Sequence, residues 1–424
     1  MNTFIQRLTL LIADKSLRNR LLFVVGALAV FRVLAAIPIP GVNAAQLQNF
    51  FANNQFFGLL NLFSGGGLSS LSIVMLGVAP YITASIIMQL LTMMIPALKQ
   101  LYQEEGEAGR QRFSQYTRML ALPIAVLQGV SFLLILERQG VLTVLSPFNF
   151  AANLLVITAG SLLLMWIGEL ISEFGLGNGV SLIIFAGIVS RLPETISQSI
   201  FAFDSTQVPV YLGFLAGAIA VIAAVVVISE AERPVPVTYA KRVRGMKFIS
   251  GGGSTYLPLR LNQAGVIPII FALSLLLIPQ MFASFFSTSS NAILSGISAS
   301  ILSTFQNLTI YGSLYFVFVF LFTYFYTAVT FDPNQISENL QKNGAFIPGV
   351  RPGISTSEHL ARIITRITFV GALFLAIIAV LPIIMQSITG ITTLALGGTA
   401  LLIVVQVILD LARRIDAQIS IREY

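Results

Sequence analysis

A chain of 424 residues that is 56% hydrophobic and only 10% charged departs from soluble domains, which carry roughly 45 to 50% apolar and 25% charged residues, and membrane burial is the simplest explanation. With no cysteine, neither a disulfide framework nor a thiolate metal centre can be built. The net charge of +7 raises nucleic-acid binding, but basic residues are not interleaved with aromatics in a stripe, and the charge follows loop position instead.

The apolar residues arrive in runs close to the roughly 20 residues that carry a helix across about 30 Å of hydrocarbon. Ten runs are read, at about 21–40, 71–98, 117–136, 149–170, 179–198, 208–229, 264–286, 308–331, 367–386 and 396–412. The preceding segment, 1–20, carries Arg7, Asp14, Lys15, Arg18 and Arg20. No small-residue cleavage site follows the next apolar run, so it does not read as a removable signal peptide.

Between the first two spans, Phe56 to Phe63 is apolar but covers only about 12 Å as a helix. It is followed by Ser64-Gly65-Gly66-Gly67, a flexible break. Either this segment re-enters the membrane along a protein-lined cavity or it lies as an amphipathic helix at the outer interface; the residues leave both open.

Two later loops exceed what a connection needs. The first, about 230–262, places Arg233, Lys241, Arg242, Arg244 and Lys247 around Ser250-Gly251-Gly252-Gly253-Ser254, two polar arms joined by a flexible tip. The second, about 332–366, contains Ile347-Pro348-Gly349-Val350-Arg351-Pro352-Gly353, a braced turn presenting one cation. They are either functional surfaces or solvated faces whose charges serve orientation. Of the 24 Lys and Arg, all but Arg32, Arg138 and Arg191 fall on one side of the ten-span scheme. By the positive-inside rule that side, with both termini, is cytoplasmic.

Span 2 contains Gly77-Val78-Ala79-Pro80-Tyr81-Ile82 and span 7 contains Gly265-Val266-Ile267-Pro268-Ile269-Ile270. Span 5 begins Gly179-Val180-Ser181-Leu182-Ile183-Ile184, and within span 10 Gly398 is followed by Thr399-Ala400-Leu401-Leu402-Ile403. Both pairs are five spans apart, an odd offset that makes the halves oppositely inserted. Superposing the motifs brings Ile82, Ile184, Ile270 and Ile403 together near the midplane, as a gate or as ordinary packing.

The span interiors are nearly free of ionisable residues, which an ion-coupled transporter keeps. Arg32 and Glu169 are exceptions, read as lying toward the cytoplasmic half or end of their runs, where they snorkel. The single histidine, His359, lies in a loop. A constriction of isoleucines gates by dewetting and grips nothing that passes, which suits a substrate of variable sequence. The competing class is an inverted-repeat secondary transporter of a small solute. An intramembrane enzyme finds no base beside a serine and no metal cluster, and without a Gly-x-x-x-x-Gly-Lys-Ser/Thr loop energy must come from a partner.

Ile37-Pro38-Ile39-Pro40-Gly41, Phe63-Ser64-Gly65-Gly66, Pro80-Tyr81-Ile82, Gln115-Tyr116-Thr117-Arg118, Gly175 to Gly179, Tyr239-Ala240-Lys241-Arg242, Ala264 to Pro268, Phe346 to Gly353 and Gly397-Gly398-Thr399 together resemble the SecY family of bacterial preprotein translocase channels. The resemblance implies an all-α integral membrane protein of ten transmembrane helices, with inverted five-helix halves (21–200 and 201–412) around an hourglass pore, and cytoplasmic ends at 1–20 and 413–424. It implies a protein-conducting channel, not an enzyme and without a cofactor, that moves unfolded preproteins and releases transmembrane segments into lipid.

By the same resemblance the pore ring is Val78, Ile82, Ile184, Ile270 and Ile403. The plug is about 57–70, with Phe57, Leu60, Phe63, Ser64, Gly65, Gly66 and Gly67. The lateral gate, spans 2 and 3 against 7 and 8, includes Gln89, Asn262 and Ile278. Arg351, Lys241, Arg242, Arg244 and Lys247 dock the motor ATPase SecA or the ribosome. SecE and SecG subunits, signal peptides and membrane lipid complete the implied partners, in the bacterial cytoplasmic membrane. The three glycines of the plug and the small Val78 lead to the expectation of a somewhat loose seal.

Overall fold

The computed structural model describes residues 14–42, 47, 61, 64–138, 140–142, 146–190, 193, 197, 208–239, 243–244, 247–248, 254–263, 265, 267–286, 291–389 and 392–423. The first half holds α1 Lys15–Ala36, α2 Ala79–Met94, α3 Pro96–Gln103, α4 Gly106–Arg138, α5 Pro147–Phe174 and α6 Gly179–Val189. The second holds α7 Val208–Glu230, α8 Ile267–Phe286, α9 Ala292–Gln306, α10 Leu308–Thr330, α11 Pro333–Lys342, α12 Ile354–Thr389 and α13 Thr392–Glu423. Polar caps set several starts. Asp14 accepts from the Ser16 N–H at 2.8 Å, Asn178 from Ser181 at 3.2 Å, and Asp332 from Asn334 at 2.9 Å just ahead of Pro333, each satisfying an N–H that the first turn leaves free.

Each of the ten apolar runs contains a helix, but the bounds differ, because hydropathy sees the bilayer-length part of a helix and not its extension into water. α4 begins eleven residues before the run at 117, and α12 begins at Ile354 where a loop to 366 was expected. That loop also contains α11 and a short strand. The run at 71–98 is corrected more deeply. Its first eight residues are buried turns, with Leu71 at φ 43° and Gly77 at φ 58°, and the chain bends by 115° between α2 and α3 at Pro96, where proline denies the helix its hydrogen bond. α9 lies in no predicted run; its 15 residues are too few to cross a bilayer. Five of the described helices are long and apolar enough to span by themselves, and a sixth if the bent pair counts as one.

Within the first half α2 packs on α4, α4 on α5, and α5 on α6, with α1 against α5 and α6. Within the second, α8 packs on α10, α10 on α12, α12 on α13, and α13 on α7. Two seams join the halves: α8 lies against α2 and α4, and α13 lies against α6. The motif glycines mirror one another across them. Gly77, ahead of α2, and Gly265, ahead of α8, both turn the chain in the left-handed region, at φ 58° and 62°, where a side chain would be strained.

The alternating-loop scheme is visible in the contacts. Leu17 at the start of α1 and Leu176 between α5 and α6 pack with Leu411 and Ile415 of α13, so these loops and both ends of the described chain share a face. On that face β1 Glu232–Tyr239 pairs antiparallel with β4 Ser254–Arg260, and β5 Ala345–Phe346 adds to the other edge of β1. The two expected arms are thus a hairpin, with the two-residue strands β2 Val243–Arg244 and β3 Lys247–Phe248 between them. Its own core of Val235, Val237, Leu259, Ile347 and Leu360 fuses both long loops into one unit.

Close helix contact at Gly179 gives a direct check. A Cβ there would overlap the Gly168 carbonyl of α5, so Gly179→Val is expected to destabilise the protein by about 1 to 3 kcal/mol. The measurement is the thermal midpoint in detergent, and an unchanged midpoint would contradict the packing of α6 on α5.

Candidate functional site

Five side chains from both halves belong to one continuous apolar core: Val78 ahead of α2, Ile82 on α2, Ile184 on α6, Ile270 on α8 and Ile403 on α13. They are 0%, 5%, 0%, 6% and 1% exposed, so none faces lipid. The four helices that supply them are among those that form the two seams. Apolar side chains of this kind offer no hydrogen bond and no charge to anything beside them.

Segment 64–78 packs against this core as a chain of turns. Its backbone is tied to the rest of the protein at several points. The Ile39 N–H donates to Leu71 O at 2.8 Å and the Ile73 N–H to Ile37 O at 2.9 Å. Ser70 Oγ donates to Ala35 O at 2.7 Å, and Ser161 Oγ of α5 to Gly77 O at 2.8 Å. Arg32 Nη1 donates to Gly65 O at 3.1 Å. Asn61 and Ser64 organise the inside of the turn, with the Leu68 N–H on Ser64 Oγ at 2.9 Å and the Ser69 N–H on Asn61 Oδ1 at 3.1 Å. Both side chains are buried.

Gly65 and Gly187 bring this segment into close contact with its neighbours. Gly65 has φ 62°, and a Cβ on it would overlap the Phe31 ring; a Cβ on Gly187 of α6 would overlap the Gly65 backbone. Their absent side chains let α1, α6 and the turn approach one another directly. Phe57, Leu60 and Phe63 of the expected plug lie outside the described residues.

The seam residues are spread along their helices. Gln89 on α2 donates from Nε2 to Ser85 Oγ at 3.2 Å while its Oε1 is buried without a partner among the described residues. Asn262 is 5% exposed, and its Oδ1 accepts from the Gly265 N–H at 2.9 Å. No hydrogen bond joins Gln89 to Asn262 among the described residues. Ile278 on α8 is half-buried. Asn262 instead lines a cavity of about 220 Å³ with Asn178, Tyr326, Gln406, Asp410 and Arg413. Sequence reading missed the clamp beside it: Ser229 Oγ donates to Gln406 Oε1 at 2.9 Å, and Arg413 pairs with Glu230 at 2.8 Å, fixing the end of α7 to α13.

The charges inside the spans are committed to structure. Glu169 of α5 pairs with Arg118 of α4 at 2.8 Å. Arg32 is corrected: it stands near the far end of α1 and engages segment 64–78, so it does not snorkel to the cytoplasmic side. A charge in a span was the available signal, since such groups rarely lack a partner. On the hairpin face the Arg351 side chain is exposed and makes no ion pair or hydrogen bond among the described residues, while its own carbonyl accepts from Thr356 Oγ1 at 2.9 Å. Arg244 and Lys247 sit opposite each other on β2 and β3; Lys241 and Arg242 lie outside the described residues.

A bundle of long apolar helices in two halves, joined through a shared apolar core that holds a buried turn, defines an integral membrane protein. The family model for SecY matches residues 72–412. The chain is 44% identical to the protein translocase subunit SecY of Thermus thermophilus, covering 96% of this chain and 94% of that one. A solved SecY channel, described as having a plug domain that stabilises the closed state and maintains a membrane seal, aligns with TM-score 0.63 at 20% identity over 93% of this chain and 91% of that one. Sec61 in the canine ribosome-channel complex aligns with TM-score 0.61 at 18% identity over the same shares. The chain belongs to the SecY family: it is a protein-conducting channel, not an enzyme, and the solute-transporter alternative has no support.

Because the chain has no cysteine, a single one reports cleanly on the turn. In a Ser69→Cys background, Gly187→Val is expected to push the turn off α6 and speed alkylation of the thiol severalfold. An unchanged rate would contradict the close approach of Gly65 to Gly187.

Proposed function

We propose that this chain is the channel-forming subunit of a bacterial Sec translocase, passing unfolded preproteins across the cytoplasmic membrane and releasing transmembrane segments sideways into lipid. The observation that supports this is that Val78, Ile82, Ile184, Ile270 and Ile403, drawn from both halves, are all buried in one continuous apolar core; in this reading they form the constriction. An extended polypeptide offers side chains of every chemistry. A constriction that holds water back by dewetting and bonds to none of them lets all of them pass.

In this reading the turn at 64–70, as part of a plug at about 57–70, closes the outer side, and a signal sequence displaces it. The seam of α8 against α2 and α4, with Gln89, Asn262 and Ile278, opens toward lipid. The halves at 21–200 and 201–412 move apart about the opposite seam of α6 and α13. With all but three of the Lys and Arg assigned to the hairpin face by the span scheme, that face is cytoplasmic, and so are both termini.

As a translocase subunit the channel works with others. The fused hairpin unit receives the motor ATPase SecA or the ribosome, Arg351 meeting an acidic or phosphate-bearing group as a fork of donors. Arg244 and Lys247 on the hairpin, with Lys241 and Arg242, extend that basic surface. SecE and SecG pack on the outer faces of the helices.

A photoreactive residue at Ile184, with a secretory chain stalled in transit, is expected to crosslink strongly to that chain. Crosslinks elsewhere with none at Ile184 would remove the constriction from the path. Arg351→Glu is expected to cut motor-driven export by at least tenfold while the channel remains folded in the membrane, and full export would dissociate Arg351 from docking.

A further inference from the structure

Arg32 is a cation in the half of α1 remote from the termini, and no acid pairs with it among the described residues. Its guanidinium lies beside the Phe31 ring, 5.9 Å from the centroid, and its Nη1 hydrogen bonds the Gly65 carbonyl at 3.1 Å. An arginine at such a position is costly to insert and is kept where it has work to do. The bond lands on a closely packed residue of the turn, with Phe31 on one side and Gly187 on the other.

The other polar links divide in two. From Ser70 onward the segment is bound to α1 and its extension by Ser70, Leu71 and Ile73, three bonds of 2.7 to 2.9 Å. Between 64 and 69 the hydrogen bonds of the described residues run within the turn, to Asn61, Ser64, Gly66 and Gly67. Among the described residues, Arg32 is the one side chain from outside 61–70 that hydrogen bonds the stretch 64–69; Ser161 of α5 reaches only Gly77, beyond the hinge. Among the described residues, then, the stretch from Ser70 onward is tied to α1 and its extension by several bonds and the stretch 64–69 by one charge-assisted bond from outside, the arrangement of a hinged cover with a catch.

We propose that Arg32 is the latch of the plug, a positioning residue whose bond to the Gly65 carbonyl sets how readily the channel opens to a signal sequence. This rests on the reading of the turn as a plug. A charge-assisted hydrogen bond is strong enough to hold the closed state, yet it is one bond that an entering chain can break without disturbing the hinge. A stronger signal then opens the latched channel, and a weaker one fails.

The test uses the translocase complex in planar bilayers, reading resting ion conductance without substrate, and export of a precursor with a weakened signal. Arg32→Leu makes α1 more apolar, so insertion is favoured. It is expected to raise the resting open fraction by about tenfold to a hundredfold, the scale of one lost charge-assisted bond, and to restore export of the weakened precursor. Arg32→Lys, which keeps a charged donor, is expected to recover most of the seal. Gly65→Val, which collides with Phe31, is the control for the plug itself. If Gly65→Val leaks while Arg32→Leu stays tight, the latch is wrong and the plug stands. If neither leaks, the plug reading falls. If Arg32→Lys leaks as much as Arg32→Leu, the contact is packing and the latch is again overturned.

Discussion

Backbone that leaves the helix inside a membrane protein must find its hydrogen-bond partners within the protein, and this requirement organises the centre of the molecule. Residues 64–78 run as turns against the apolar core, and the surrounding elements are shaped to serve them. The extension of α1 pairs with Leu71 and Ile73, Ser161 reaches over from α5 to the Gly77 carbonyl, and Arg32 reaches the Gly65 carbonyl. Glycine at 65, 160 and 187 lets these partners come close enough, since a Cβ at any of the three would overlap its neighbour. Substitution at these glycines therefore strikes the closure of the channel before it strikes the bundle.

The same economy explains how two halves can form a seal and still part. Across the centre they touch through apolar side chains, whose attraction is non-directional and indifferent to small shifts. The directional bonds sit elsewhere. Arg118 with Glu169 joins α4 to α5 inside the first half, and Arg413 with Glu230 joins α13 to α7 inside the second. Each half is stiffened by its own polar clamp, and the described ion pairs leave the plane between them free to open.

Much of this was legible in the sequence, and the failures have physical causes. The paired Gly-Val-x-Pro-x-Ile motifs pointed to two glycines with matching left-handed backbones, and to isoleucines that share one core. The polar arms around a glycine tip became the hairpin, because alternating Val235, Val237 and their partners across β4 bury one face. Hydropathy could not see where α4 and α12 begin, since their first turns are polar and lie beyond any bilayer. Nor could it tell that the apolar stretch 71–78 is not helix, because burial against protein and burial in lipid ask for the same residues. The tie between Arg32 and Gly65 joins residues 33 apart, and spacing carries no trace of such a contact.

The central claim is that a polypeptide in transit passes through the plane where both halves contribute one apolar ring. A density map of the translocase arrested with a secretory chain threaded part-way tests it most directly. The account predicts an extended chain encircled by Ile82, Ile184, Ile270 and Ile403, with residues 64–70 moved out of line. Density running between the bundle and lipid, or inside one half, would contradict it.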